Sequence, residues 1–260
     1  VKREIDLAAF YHFLTFLTPP APQTLFKGIY KLPPGHRAVL KADSGDFRIE
    51  EYWDVYDAAS YDPQLTERDW AERLRAKLAE SVKLRMVSDV PFGVFLSGGV
   101  DSTVNTALMA AQMGRPVQTF SIGYKDAPDY NEFEWARQAA KHFATDHHEV
   151  QIGVQDFLDF LPKLVYHQDE PIADPVCVPI YFVSKLAKDN GTTVIQVGEG
   201  SDELFCGYRH WVDILRLHSG AWKAYSILPR PVKQLALVGS GPALSEVRYE
   251  YVRRATDGEE

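Results

Sequence analysis

The chain has 260 residues, 45% of them hydrophobic and 25% charged, a globular balance that excludes disorder as the dominant state. Its formal net charge is −8, so bulk charge gives no reason to expect nucleic acid or an anionic membrane as a partner. Two cysteines, Cys177 and Cys206, cannot build a disulfide scaffold or a four-thiolate metal site, and they fit a reducing compartment.

No run of about 18 apolar residues is present, so no membrane-spanning helix is expected. The first residues, Val-Lys-Arg-Glu-Ile-Asp, carry both signs of charge and no apolar core, so no signal peptide is expected there. The chain does not begin with Met, as expected of one that is processed or cut from a longer protein.

From the start, Ile5 to Leu17 is apolar and aromatic until Pro19, Pro20 and Pro22 break it. Ile29–Leu32 and Arg37–Lys41 read as extended segments around Pro33-Pro34-Gly35. Asp43 to Asp46 is a second turn, and Phe47–Trp53 a third extended segment. Such hairpin material cannot form a core alone. Ala58–Leu65 reads as a linker. Thr66 then caps a helix with Glu67 and Asp69 in its first turn and an apolar face of Trp70, Leu74, Leu78 and Val82, ending before Asp89-Val90-Pro91.

Beyond this point strands and helices alternate. Strands are expected at Gly93–Leu96, Val117–Ile122, His148–Ile152 and Thr193–Val197. Helices are expected at Ser102–Met113 (stopped by Gly114), Asn131–Phe143, Val154–His167 and Pro179–Asp189, the last closed by Asn190-Gly191. After Tyr208 the pattern is helical with Pro and Gly breaks. The rhythm predicts an α/β fold, a doubly wound parallel sheet with helices on both faces.

Two motifs carry chemistry. Leu96-Ser97-Gly98-Gly99-Val100-Asp101-Ser102 lies between a strand and a helix, where open α/β sheets bind ligands. Its glycines let backbone N–H groups approach an anion, the helix N-terminus adds partial positive charge, and Ser97 and Ser102 add hydroxyls. Asp101 would repel phosphate unless Mg²⁺ bridged them. An ordinary turn capped by Ser102 or Asp101 satisfies the same local pattern. The second motif, Val197-Gly198-Glu199-Gly200-Ser201-Asp202-Glu203-Leu204-Phe205-Cys206-Gly207-Tyr208, puts acids at the mouth and first turn of a helix beginning near Gly200. Dipole compensation accounts for such acids equally well. Beside an anion loop, however, Asp101 and Asp202 could share one Mg²⁺, which takes one or two carboxylates plus phosphate oxygens.

Other candidates are weaker. His147 and His148 are adjacent on a strand and point to opposite faces, which argues against a shared metal ion. Asp169, Glu170 and Asp174 are compatible with a solvated loop around Pro171 and Pro175, or with carboxylate partners for a substrate ammonium. Cys206 reads as a packing residue, with no His partner in its motif.

The first motif resembles the PP-loop of ATP pyrophosphatases, and its SGG[LV]DS form resembles that of asparagine synthetases, NAD and GMP synthetases and some tRNA-modifying enzymes. The second resembles the SGEGSDE segment of asparagine synthetases. Residues 198–203 match that pattern identically, while Val197 stands where Ser is usual and Cys206 where Gly is common. Thr119-Phe120-Ser121-Ile122-Gly123, Asp146 to Glu149, Asp169 to Pro175, and Gly28 to Trp53 also resemble this glutamine-hydrolysing family, so the likeness covers nearly the whole chain.

The resemblance implies an adenine nucleotide alpha hydrolase-like (PP-loop) fold preceded by a small β-hairpin remnant. Residues 1–57 would be the tail of an N-terminal glutaminase domain of Ntn type plus linker, and residues 58–260 an ATP-dependent synthetase domain truncated at its C-terminal end. It implies ATP and Mg²⁺ as cofactors. Leu96, Ser97, Gly98, Gly99, Asp101, Ser102, Ile122, Val197 and Gly198 would hold the nucleotide. Asp101 and Asp202 would hold the metal, and Glu199, Asp101 and Asp202 would serve catalysis. Asp174 and Glu170 would meet the substrate.

The implied reaction adenylates the aspartate side chain, releases pyrophosphate, and transfers ammonia, drawn from glutamine by the missing domain, to give asparagine and AMP. A cytoplasmic location is expected, with no nucleic-acid or membrane partner, and a homodimer is admitted. The catalytic Cys of the family's glutaminase domain has no counterpart at Val1, so glutamine hydrolysis is not expected of these residues. A late catalytic lysine is expected beyond residue 260. The alternatives are a related amidotransferase acting on a peptide, sugar or lactam precursor, another PP-loop enzyme, and a nucleotide-binding domain without turnover.

Overall fold

A computed structural model describes residues 2–58, 62–220, 223, 225, 227–240 and 253. Residues 59–61 of the expected linker and 241–252 of the helical tail lie outside the described residues. The chain divides into two compact units, Val1–Val197 and Gly198–Glu260.

In the first unit the apolar opening segment is a helix, α1 (Leu7–Phe16). Asp6 caps it, its carboxylate accepting the N–H groups of Ala8 and Ala9 at 2.9 and 3.1 Å, and Leu17 ends it with φ 62°. Only His12 and Thr15 interrupt its apolar and aromatic run, so the helical period is faint and the capping aspartate is the readable signal. Strands β1 (His36–Leu40) and β2 (Phe47–Glu51) form the expected antiparallel hairpin, with Ala38 opposite Ile49. Gly35 closes its base. The Gly35 carbonyl accepts the Tyr52 N–H at 2.8 Å, and a Cβ at Gly35 would stand 2.0 Å from the Trp53 carbonyl oxygen. Ile29–Leu32, expected as extended, forms one isolated bridge among the described residues, Gln23 with Tyr30. Pro33 and Pro34 follow with no N–H to continue a ladder. A short helix α2 (Val55–Ala58) comes next.

Helix α3 (Glu67–Arg85) starts as expected, with a reciprocal capping box: Asp69 N–H to Thr66 Oγ1 at 3.3 Å and Thr66 N–H to Asp69 Oδ2 at 2.9 Å. Of its predicted apolar face only Val82 is fully buried, whereas Trp70 and Leu74 remain exposed. The C-terminal half of α3 is therefore the part that joins the core.

The alternating region gives β3 (Phe92–Phe95), α4 (Val100–Ala110), β4 (Gln118–Tyr124), α5 (Phe133–His142), β5 (Asp146–Ile152), α6 (Val154–Gln168), α7 (Cys177–Asp189) and β6 (Val194–Gln196). The four strands are parallel, in the order β5-β4-β3-β6. Helix α4 begins two residues earlier than expected because Gly99 takes the extended N-cap conformation, and it ends at Ala111, before Gly114.

Alternation along the strands builds a core on each face of the sheet. Val94 packs with Val82 of α3 and Met109 of α4, and Leu96 with Ala136 and Ala140 of α5. On the other face Phe120, fully buried, packs with Val183 and Ala187 of α7, joined by Phe95, Ile122 and Ile195. Burying a side chain like Phe120 contributes about 1.5–3 kcal/mol. The sheet is thus wound on both faces.

Helix α7 runs against the strand direction. Just past its C-terminus, Thr193 donates to the Pro91 carbonyl before β3, and the Thr192 hydroxyl bonds the Gln118 side chain at the start of β4. At its N-terminus Val178 packs with Ile152, the last residue of β5. The loop from Asp169 to Val176 therefore lies at the carboxyl edge of the sheet.

The second unit, described by itself, contains α8 (Ser201–Phe205), α9 (Arg209–Ser219) and α10 (Arg230–Ser240).

Candidate functional site

Strand β3 hands the chain to the glycine loop through Leu96. This residue is buried; its N–H donates to the Phe120 carbonyl at 2.9 Å, and its carbonyl accepts the Ser121 hydroxyl. Two hydroxyls then knit the loop. The Ser97 N–H donates to Ser102 Oγ at 3.2 Å, the Gly99 N–H donates to Ser97 Oγ at 3.1 Å, and the two hydroxyl oxygens lie 3.0 Å apart. Gly98 sits at φ 86°, and a Cβ there would come within 2.5 Å of Trp135 and Ala136 on α5. The backbone can take this path only as glycine.

Gly99 caps α4 with no side chain bonded to the helix end. The first N–H groups of an eleven-residue helix consequently face the loop with the positive end of its dipole. Such an end binds an anion such as phosphate. Asp101, half-buried in the first turn, has no hydrogen bond or ion pair among the described residues. A carboxylate beside a cradle for phosphate oxygens suits Mg²⁺, which takes few protein ligands when phosphate supplies the rest. Among the described residues no three His, Cys, Asp or Glu side chains gather to hold a metal unaided.

Strand order places this loop at a topological switch point. β3 pairs with β4 on one side and β6 on the other, with Val94 opposite both Thr119 and Gln196. Leu96 and Val197 hence leave adjacent strand ends, and ligands of open α/β sheets bind in that crevice. Ile122 lies two residues beyond Phe120 on β4. The Phe120 carbonyl faces β3, so alternation turns the Ile122 backbone to the same edge, past the last residue of β3.

Sequence reading passed over Gln196. It is buried on β6, and among the described residues its side-chain nitrogen has no hydrogen-bond partner, nor has the buried Thr103 hydroxyl on α4. The available signal was a glutamine inside an otherwise apolar strand.

The second motif, within its own unit, also depends on backbone geometry. Gly200 caps α8 at φ 92°, and Asp202 and Glu203 occupy its first turn. A Cβ at Gly207 would fall 1.8 Å from Asp202 Oδ1, so the glycine leaves that carboxylate room. The Tyr208 hydroxyl donates to Glu203 Oε1 at 2.9 Å. This bond holds the phenol above its ordinary pKa, helped by burial and by the charges of Glu203, Asp202 and Glu199. The three acids thus act on one electrostatic neighbourhood. Cys206 is exposed.

The remaining candidates separate. Asp174 is exposed, and its Oδ1 accepts the Val176 N–H at 2.9 Å. Glu170 turns both oxygens to the N-terminal segment, accepting the Leu25 N–H at 2.8 Å and pairing with the Lys31 ammonium at 3.0 Å. His147 bonds Thr119 Oγ1 through Nδ1 at 2.9 Å, while His148 stacks on Phe120 at 5.4 Å, so the two imidazoles occupy opposite faces.

The asparagine synthase family model matches residues 73–257, across both motifs. The chain belongs to the asparagine synthase family. Among curated members of the family, a glutamine-hydrolysing asparagine synthetase of Bacillus subtilis (strain 168) is 34% identical over 235 residues, covering 90% of this chain and 35% of that protein. A putative asparagine synthetase of Mycobacterium tuberculosis is 34% identical over 233 residues, 89% of this chain and 34% of that one. Asparagine synthetase B of Escherichia coli (strain K12) is 31% identical over 198 residues, covering 70% and 34%. The chain spans about a third of the length of these relatives.

Among solved structures, a glutamine-dependent NAD⁺ synthetase from Acinetobacter baumannii, in complex with ADP, aligns with TM-score 0.37 and 22% identity, covering 64% of this chain and 32% of that one. An NH₃-dependent NAD synthetase from Campylobacter jejuni aligns with TM-score 0.35 and 13% identity, covering 72% and 94%. No helix among the described residues is long and apolar enough to cross a membrane.

Proposed function

We propose that the protein from which this chain comes is an ATP-dependent amide-forming ligase that makes asparagine from aspartate. The observation that carries this reading is the glycine loop. It joins a helix end capped by Gly99 without a side-chain bond, a glycine at positive φ and two loop-knitting hydroxyls at the switch point of a parallel sheet.

An oxygen of the aspartate side chain attacks the α-phosphorus of ATP. The bond from that phosphorus to the bridging oxygen breaks, and pyrophosphate leaves. The N–H groups at the start of α4, with Ser97 and Ser102, hold the departing pyrophosphate and stabilise its growing charge. Leu96, the Ile122 backbone, Val197 and Gly198 line the nucleotide. Mg²⁺, when bound, neutralises phosphate charge, and Asp101 and Asp202 are its proposed carboxylate ligands. Ammonia nitrogen then attacks the activated carbonyl carbon, the carbonyl–oxygen bond to AMP breaks, and Glu199 takes the surplus proton from nitrogen. Asp174 offers a carboxylate to the substrate ammonium.

The synthetase residues are proposed to run from 58 onward. Ammonia is proposed to come from glutamine through a domain to which residues 1–57 are the tail. The enzyme is proposed to work in the cytoplasm, and a homodimer fits the reading.

ATP–pyrophosphate exchange by the full-length parent protein tests this. Exchange dependent on aspartate and abolished by chelating Mg²⁺ is expected. Exchange with another carboxylate alone would move the enzyme to a different amide product. ATP binding without exchange on any carboxylate would overturn the ligase reading. A Glu199→Gln enzyme that still forms amide at the normal rate would remove Glu199 from its role.

A further inference from the structure

The carboxyl edge of the sheet carries a loop, 169–176, whose position is set from outside the sheet. Its two anchors are long-range. The Ala173 N–H donates to the Leu17 carbonyl at 3.1 Å. Glu170 binds the Leu25 N–H at 2.8 Å through Oε1 and the Lys31 ammonium at 3.0 Å through Oε2. Lys31 also donates to the Pro19 carbonyl at 3.1 Å, so one ammonium ties two parts of the N-terminal segment to the loop.

This is not a surface ion pair of the usual weak kind. The Glu170 side chain is only 18% exposed and Lys31 34%, and a backbone N–H is part of the arrangement. Charge-assisted bonds that are partly withdrawn from water hold geometry more firmly. Both ends of the junction also carry backbone strain, with Leu17 at φ 62° and Asp169 at φ 57°. Residues held at such angles persist when their surroundings over-determine them. Four residues past Glu170 stands Asp174, the proposed carboxylate for the substrate ammonium.

We propose that Glu170 and Lys31 form a clasp by which residues 17–31 position the loop that meets the acceptor substrate, and that Glu170 is a positioning residue rather than a substrate ligand. The inference rests on the ligase reading above. It assigns residues outside the sheet a part in acceptor affinity that the nucleotide loop does not share.

The test uses the full-length parent protein with Glu170→Gln, Lys31→Met, the double variant, and the reversed pair Lys31→Glu with Glu170→Lys. In pyrophosphate exchange each single variant should raise KM for the acceptor about tenfold, the size expected for one partly buried charge-assisted bond. KM for ATP and kcat should stay near wild type. The double variant should be no worse than either single one, and the reversed pair should recover much of the loss. If Lys31→Met leaves the acceptor KM unchanged while Glu170→Gln raises it, Glu170 touches substrate and the clasp is overturned. Equal rises in KM for ATP and for acceptor would show a general structural defect and overturn it too.

Should the wild-type enzyme show no exchange with any carboxylate, the ligase reading fails, and the clasp is judged by amide hydrogen exchange. Glu170→Gln and Lys31→Met should then each speed exchange at Leu25 and Ala173. Unchanged protection at both would dismiss the clasp independently of activity.

Discussion

Gly98 has two independent reasons to be glycine, one in its torsion and one in its neighbours. Its φ of 86° disfavours any side chain, and a Cβ would meet the backbone of α5 at 2.5 Å. Relief by adjustment is blocked because the obstacle is main chain rather than a flexible tip. Gly98→Ala is expected to destabilise the protein by about 2–4 kcal/mol, summing backbone strain and overpacking. Denaturant unfolding gives that figure, and ATP–pyrophosphate exchange in native buffer should fall further than stability alone explains. Unchanged exchange would mean that the loop tolerates a different path. The glycine pair itself was readable in the sequence, since Gly-Gly between a strand and a helix announces a close backbone approach. Its contact with α5 was not, because Trp135 and Ala136 come from another crossover and only packing brings them together. Glu170 shows the same limit: its acidity was legible, but its partners at Leu25 and Lys31 lie far upstream.

At the scale of single elements, local chemistry was legible where it was complete. Helix α3 carries its own instructions, a cap, first-turn acids and a capping box within four residues. Thr66→Ala should cost about 1 kcal/mol, read from the shift in denaturation midpoint at constant slope. Helix α1 escaped because eight of its ten residues are apolar or aromatic, which leaves little periodicity to read. Helix α4 started early because Gly99 caps by conformation, without the side-chain signal that Ser102 seemed to offer.

Strand β5 supplies a pH dependence. Burial pushes His147 below its ordinary pKa, more strongly than Glu149 pulls it up. An unfolded histidine takes its proton near pH 6.5 while the folded one resists, so the unfolded state binds more protons below that pH. The stability that this group contributes is therefore present above about pH 6.5 and falls as pH drops through its lowered folded value. Thermal melts from neutral to mildly acidic pH should show the decline, and His147→Gln should flatten it. A slope unaltered by that substitution would assign the decline to other groups.

Over the whole chain, the alternation of strands and helices is sufficient to anticipate a doubly wound parallel sheet, because each crossover needs a helix and each buried strand needs an apolar run. Strand order is another matter. The period of a strand says which face is buried but not which neighbour it takes, so the β5-β4-β3-β6 order and the crevice beside β3 emerge only in three dimensions. The same holds for the direction of α7, which sends the Asp174 loop to the carboxyl edge.

That order also sets a sequence of events in time. Strands β3, β4 and β5 are joined by short crossovers, whereas Phe92 must wait for Val194 to complete its other side. Closing so long a loop carries an entropic cost that the nearer pairings do not. Those three of the four strands should assemble first, and the crevice beside β3 should come into being only when β6 docks. Ile195, packed with Phe120 and Val183, reports on that step. Ile195→Ala should accelerate unfolding several-fold while leaving the early refolding phase unchanged, as expected for contacts made after the transition state. A nascent chain released before residue 194 would therefore hold three of the four strands and yet lack the crevice between β3 and β6.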